Sequence, residues 1–283
     1  MAEGGAGATQ KPAPKKGRAT TRDRDCYLEG QHAVVTGASR GIGAAIAAAL
    51  ARRGASLTLM SRSVAKMERK AEIIRTDCGA TVTVAECDVT DDMSVRAAFK
   101  GAVAANGPIR LLINNAGAAD GAPFAKMTRD IWDRMIAVNL TSIYACSAEV
   151  IPGMLAAKQG RIVNIASTAG LRGYKTMTAY CAAKHGVVGL TRALALETAK
   201  HGITVNAVCP GYTDTQLTDG SVEKLAEVFK TTKEEARAML VRTIPRGSLI
   251  RPEEVASAVS WLCSPEASAV TGIALPIAGG EIV

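Results

Sequence analysis

The sequence predicts an α/β protein, a single doubly wound domain built on a seven-stranded parallel sheet. Three observations predict it. Short apolar runs alternate with long Ala-rich helical stretches from about residue 31 onward, the rhythm of strands joined by crossover helices. Apolar residues make up 48% of the chain but aromatics only 4%, so the core is built from Ala, Val, Ile and Leu, as in strands buried on both faces. The length, 283 residues, suits one α/β domain with a large core.

Residues 1–25 are rich in Gly, Ala, Pro and Lys and show no periodicity. They are expected to be disordered, with a basic tail over 1–29 and the folded domain over 30–283. The first strand is placed at Ala33-Val34-Val35, followed by an Ala-rich helix and a second strand over 56–60. Further strands are expected over 81–85, 111–113, 161–165, 204–208 and 273–275, each separated from the next by enough chain for a right-handed crossover. The stretch 215–245 breaks the rhythm. It is helix-prone at 222–229 and 233–241 and has no strand of its own, so it is expected to form a helical flap over a site. A long helix is expected over 174–200, with Val187, Val188, Leu190 and Leu194 on one face.

The formal net charge is +8, but residues 1–25 hold six Lys/Arg against three Asp/Glu, leaving about +5 for the body. The body's basic residues are scattered and not interleaved with aromatics, which argues against a nucleic-acid surface. Seven cysteines without a C-x-x-C pair read as reduced thiols of a cytoplasmic protein. The three histidines lack metal-ligand spacing, and no metal is expected. No apolar run reaches membrane-spanning length, and the N-terminus has no apolar signal core, so no membrane role is expected.

The first strand runs into Thr36-Gly37-Ala38-Ser39-Arg40-Gly41-Ile42-Gly43 and then directly into a helix. Glycines there let the backbone turn tightly and approach a pyrophosphate, which meets free N–H groups and the positive end of the helix dipole. The spacing is G-x-x-x-G-x-G. At the end of the second strand stands Met60-Ser61-Arg62, with no carboxylate for an adenosine 2′-hydroxyl. Arg62 and Arg40 can instead clamp a 2′-phosphate, so NADP(H) is expected over NAD(H).

Tyr180 and Lys184 stand at i and i+4, on one face of a helix. A free phenol titrates near 10, and a neighbouring ammonium is expected to pull it down. Tyr180 could then exchange a proton with a substrate oxygen to which Ser167 donates a hydrogen bond. Cys181 adjoins the tyrosine but faces about 100° away and is expected to pack. Trp132 and Trp261 fit amphipathic helices, and Tyr174 and Tyr212 fall in loops where ligands bind open sheets.

With these motifs in order, joined by Asp88, Asn114-Asn115-Ala116-Gly117, Asn139 and Pro210-Gly211, the sequence resembles the short-chain dehydrogenase/reductase family over roughly residues 30–283. The resemblance implies a Rossmann-type oxidoreductase acting on CH–OH groups. It implies that Tyr180 is the acid/base, that Ser167 polarises the carbonyl, that Lys184 tunes the tyrosine and binds the nicotinamide ribose, and that Asn139 holds a water in a proton relay. It also implies that Asp88 and the Val89 backbone meet the adenine, that Asn115 fixes the adenosine end, and that Thr213 holds the nicotinamide carboxamide. Gly37, Ser39, Arg40, Gly41, Ile42, Gly43, Arg62, Ala116, Gly117, Pro210, Gly211 and Thr215 would complete the cofactor site. In the family the long helix pairs between subunits, implying a homotetramer or dimer.

The stretches 161–170, 185–190 and 204–211 look most like reductases of 3-oxoacyl thioesters and polyketide ketones. A carbonyl substrate carried by acyl carrier protein or coenzyme A is therefore expected. A 3-hydroxybutyrate, sugar-alcohol or steroid dehydrogenase uses the same machinery, and a non-catalytic NADP-binding sensor would keep only the fold; loss of Tyr180 or Lys184 would mark the latter, and both are present.

Overall fold

A computed structural model describes residue 1 and residues 26–282. Seven strands form one parallel sheet: β1 (His32–Thr36), β2 (Ser56–Ser61), β3 (Val82–Glu86), β4 (Ile109–Asn114), β5 (Gly160–Ile165), β6 (Ile203–Pro210) and β7 (Ala274–Ile277). Their spatial order is β3-β2-β1-β4-β5-β6-β7, so the winding reverses between β1 and β4. Ligands bind open sheets at such a reversal, outside the carboxyl ends of the strands.

Helices cover both faces. One layer holds α1 (Gly41–Arg52), α2 (Val64–Cys78) and α9 (Pro252–Leu262); Ile46, Leu50, Met67 and Val259 pack there on Val35, Leu111 and Val163. The other holds α3 (Asp92–Asn106), α4 (Arg129–Ile136), α5 (Ser142–Ala157) and α6 (Thr178–Thr198), with Phe99, Val150 and Met154 packed on Val34, Leu112 and Val205. Alternate strand residues feed opposite layers, which is why every residue of β6 is buried. Two helices, α7 (Gln216–Phe229) and α8 (Lys233–Arg242), occupy the stretch expected to be a flap and share a small cluster of Val222, Ala236 and Leu240.

Three sequence expectations are corrected. Residues 2–25 of the expected tail lie outside the described residues, but the tail does not extend to 29: Leu28 is fully buried, and its N–H donates to the Arg53 carbonyl at 2.8 Å. The helix expected from residue 174 begins at Thr178, so that boundary is wrong while Tyr174 lies in a loop, as its own reading expected. Val187 and Val188, on the face expected to meet another subunit, are buried in this chain's own core against Ala166, Ala207 and Cys209. The large apolar residue that α6 exposes is Leu196, at 83%.

From Arg129 to Ala157 the helix is long and apolar enough to cross a bilayer by length and composition, with a mean hydropathy of 1.3. Its Met135, Ile143, Cys146, Val150 and Met154 are buried within the domain, as in the core helix of a globular protein. It reaches that length because a wide five-residue turn, Ala137–Thr141, joins α4 to α5.

Candidate active site

The loop after β1 is built for close approach of backbone. Gly37 has φ of +65°, and a Cβ there would lie 2.8 Å from the Ala116 Cα. Gly41 has φ of +54° and abuts the Thr215 methyl. The loop is braced from β4: the Thr36 hydroxyl accepts from the N–H groups of Asn115 and Ala116, each at 3.0 Å. The Asn115 side-chain amide donates to the carbonyls of Thr36 at 3.0 Å and Gly37 at 3.2 Å. Asn115, expected to fix an adenosine, is thus committed to shaping the glycine loop.

At the amino end of α1 no side chain caps the first turn, and that turn holds no acidic residue. Ser39 and Arg40 lead into this turn, which Gly41 and Ile42 open, and the free N–H groups of a helix's first turn suit a diphosphate. The Arg40 guanidinium bonds the Gln216 amide oxygen at the start of α7. Arg62, 81% exposed in its side chain, lies 4.0 Å from the Asp88 carboxylate. Asp88 accepts from the Thr90 N–H at 2.9 Å and hydroxyl at 2.7 Å, and these bonds hold its carboxyl below the usual range. Arg40, Arg62, Asp88 and Val89 therefore gather at the carboxyl ends of β1, β2 and β3.

The second half of the site lies past β4, β5 and β6. Ser167 opens the turn after β5 and accepts from the Ala169 N–H at 3.1 Å. Tyr180, half-buried on α6, hydrogen-bonds Ser167; burial pushes its phenol up to about 12, with that bond pulling the other way. Lys184 is buried one turn further on, with Nζ 5.7 Å from the Tyr180 ring centre and donating to the Ile165 carbonyl at 2.9 Å. Burial pulls its ammonium down to about 8. Desolvation thus raises the phenol where a downward pull by the lysine was expected, and the group that opposes the rise is Ser167.

Gly117 connects these groups to the wide turn of α4–α5. A Cβ there would stand 2.9 Å from Asn139 Oδ1 and 3.7 Å from Lys184 Nζ. Asn139 is fully buried, and its amide donates to the carbonyls of Ala118 at 2.9 Å and Met135 at 3.1 Å. Beyond β6, Pro210 and Gly211 lead to Thr213, which is buried and donates to the Gly211 carbonyl at 3.0 Å. Cys181 is buried as expected, and Trp261 is 44% exposed on α9, away from these loops.

Sequence reasoning missed Glu281. Its carboxylate, with the side chain 1% exposed, accepts from Tyr174 at 2.5 Å and Arg172 at 2.7 Å. The Tyr174 hydroxyl also bonds the hydroxyl of Thr168, next to Ser167, at 2.7 Å. An acid in an otherwise apolar C-terminal stretch was the only signal. Also missed was the buried ladder beneath the site, in which Asn114 donates to Asn164 and Asn164 to Thr191, each at 2.9 Å.

The sequence profile of the family described as short chain dehydrogenase matches residues 31–226. The chain belongs to that family. Among relatives, this short chain dehydrogenase is 42% identical over 250 residues to a protein named as ketoacyl reductase 1 of the granaticin polyketide synthase from Streptomyces violaceoruber, covering 88% of this chain and 92% of that one. It is 40% identical over 253 residues to the 3-oxoacyl-[acyl-carrier-protein] reductase of Vibrio harveyi, covering 89% and 98%. Among solved structures, a single-residue variant of actinorhodin polyketide ketoreductase with NADPH superposes with a TM-score of 0.86 at 37% identity, covering 89% of this dehydrogenase and 97% of that chain.

Proposed function

We propose that the protein is an NADP(H)-dependent ketoreductase that reduces a 3-oxoacyl thioester, carried on acyl carrier protein or coenzyme A, to the 3-hydroxyacyl form. The observation that carries this reading is the cluster of Ser167, Tyr180 and Lys184 past β5, set beside a glycine cradle whose neighbouring strand ends in Arg62 and not in a carboxylate. The cradle fits a dinucleotide: Gly37 admits no side chain, and the uncapped amino end of α1 offers donors for a diphosphate. Arg40 and Arg62 are the residues for a 2′-phosphate, and Asp88 and Val89 border the adenine end. Ala116, Gly117, Pro210, Gly211, Thr213 and Thr215 complete the wall toward the nicotinamide.

When bound, the dinucleotide supplies a hydride to the carbonyl carbon. Ser167 donates a hydrogen bond to the ketone oxygen and orients it toward Tyr180. A phenol pushed up to about 12 keeps its proton at neutral pH, which suits it to deliver that proton to the oxygen as negative charge develops there. Lys184 stabilises the phenolate left behind and would hold the ribose of the dinucleotide, and Asn139, beside Lys184 at Gly117, would carry the relay that restores the proton. The helices α7 and α8 close over the substrate, with Lys224 of α7 donating to Asp120 at 2.7 Å across the mouth.

The substrate class is supported by the names of the relatives, one of which acts on 3-oxoacyl groups held by acyl carrier protein. We place the protein in the cytoplasm as a homodimer or homotetramer. Turnover of acetoacetyl-CoA with NADPH, measured beside steroid, sugar and quinone ketones, tests the substrate; no thioester reduction contradicts it. Comparison of the Michaelis constants for NADPH and NADH tests the cofactor. Arg62→Ala is expected to weaken NADPH about tenfold or more and to leave NADH unchanged.

A further inference from the structure

At the opposite end of the sheet from the active site, Arg110 and Arg161 stand second in β4 and β5 and line a common cavity of about 120 Å³. The cavity is completed by polar groups of Gln31 and Gln159 and by Cys263, and no carboxylate of the described residues lines it. Arg161 is anchored there: its Nη1 donates to the carbonyls of Gly160 at 3.0 Å and Gly202 at 3.2 Å. Its Nε remains buried without an acceptor among the described residues, and so does Nη1 of Arg110. Burial lowers the Arg161 guanidinium from its ordinary range, opposed by the neighbouring Cys263 thiol and by no carboxylate among the described residues.

A guanidinium N–H removed from water and left without an acceptor costs more than a neutral one, and two that share a cavity define what is missing. An oxyanion supplies several acceptor oxygens and the negative charge that neither arginine finds among the described residues. We propose that this cavity is a second anion site, binding a phosphoryl-type oxyanion between Arg110 and Arg161. Ser167 stands six positions beyond Arg161 along β5 and the turn that follows it, so the site lies about 20 Å from the chemistry. It is distinct from the glycine cradle and from any 2′-phosphate clamp.

The test is calorimetry of the full chain with inorganic phosphate, in excess NADPH to keep the cradle filled, against chloride at equal ionic strength. One saturable phosphate site per chain is expected in the parent protein. Arg110→Gln and Arg161→Gln are each expected to weaken it about tenfold or more while NADPH affinity stays unchanged. Should either variant fail to fold, anomalous diffraction from parent crystals grown with selenate reads the cavity directly, and selenium between the two guanidiniums supports the site. No saturable heat, equal affinity in both variants, or ordered water alone in the cavity would overturn the proposal.

Discussion

The Asn115 side chain donates to the Thr36 carbonyl at 3.0 Å, and the Thr36 hydroxyl in turn accepts from the Asn115 backbone. This reciprocal pair ties the end of β4 to the end of β1 across the point where the sheet reverses, and so fixes the glycine loop before any ligand arrives. Asn115→Ala removes two donors to loop carbonyls and opens space beside Gly37 and Gly43. A stability loss of about 1–3 kcal/mol in urea titration is expected, together with weaker binding of both dinucleotides. A variant that loses affinity for NADPH alone would show that Asn115 touches the ligand and does not brace the loop.

Lys184 makes stability depend on pH in a definite direction. Burial lowers its ammonium to about 8, whereas the unfolded chain titrates near 10.4, so between these values the unfolded state holds the extra proton. The contribution of this residue to stability therefore rises as pH increases from about 8 to about 10, and falls back as pH returns to 8. Lys184→Met removes the effect. The stability difference between variant and parent is expected to shift in the parent's favour by about 3 kcal/mol across that window. Denaturation at pH 7 and pH 10 measures it; a constant difference would show that Lys184 is not desolvated.

Asp120 accepts from Lys224 of α7 and also pairs with Arg134 of α4. The partners are largely exposed, so the ion pairs add less than about 1 kcal/mol to stability. Their consequence is positional, because they hold the flap to the loop after β4. Lys224→Ala is expected to leave Tm unchanged and to raise KM for a long acyl thioester several-fold, with a smaller effect on a short one. A change in Tm without a change in KM would make the contact structural only.

Much of this organisation was legible in the sequence because it rests on local rules. Alternating runs such as Ala33-Val34-Val35 and the Ala-rich helix after Gly43 identify strand and crossover without tertiary information. The i, i+4 spacing of Tyr180 and Lys184 places both on one helical face, and the structure sets them 5.7 Å apart, ring centre to Nζ. What was not legible depends on long-range packing. Leu28 reads as tail until Arg53 and the core close over it. Val187 and Val188 read as an external face until β6 is found beneath them. The rise of the Tyr180 phenol is a burial effect, which a one-dimensional pattern does not contain, and the partnership of Glu281 with Arg172 and Tyr174 spans more than a hundred residues.

Ketone reduction by this protein turns on proton delivery from the Tyr180 hydroxyl. Replacing Tyr180 with Phe removes one oxygen and leaves the ring, the Lys184 contact and the glycine cradle in place, so fluorescence titration is expected to show NADPH binding within about twofold of the parent. Reduction of acetoacetyl-CoA by the same preparation is expected to fall about a thousand-fold or more, the loss of one general-acid contribution together with the bond to the ketone oxygen. Retained turnover in a Tyr180→Phe protein that binds NADPH normally would contradict the central claim.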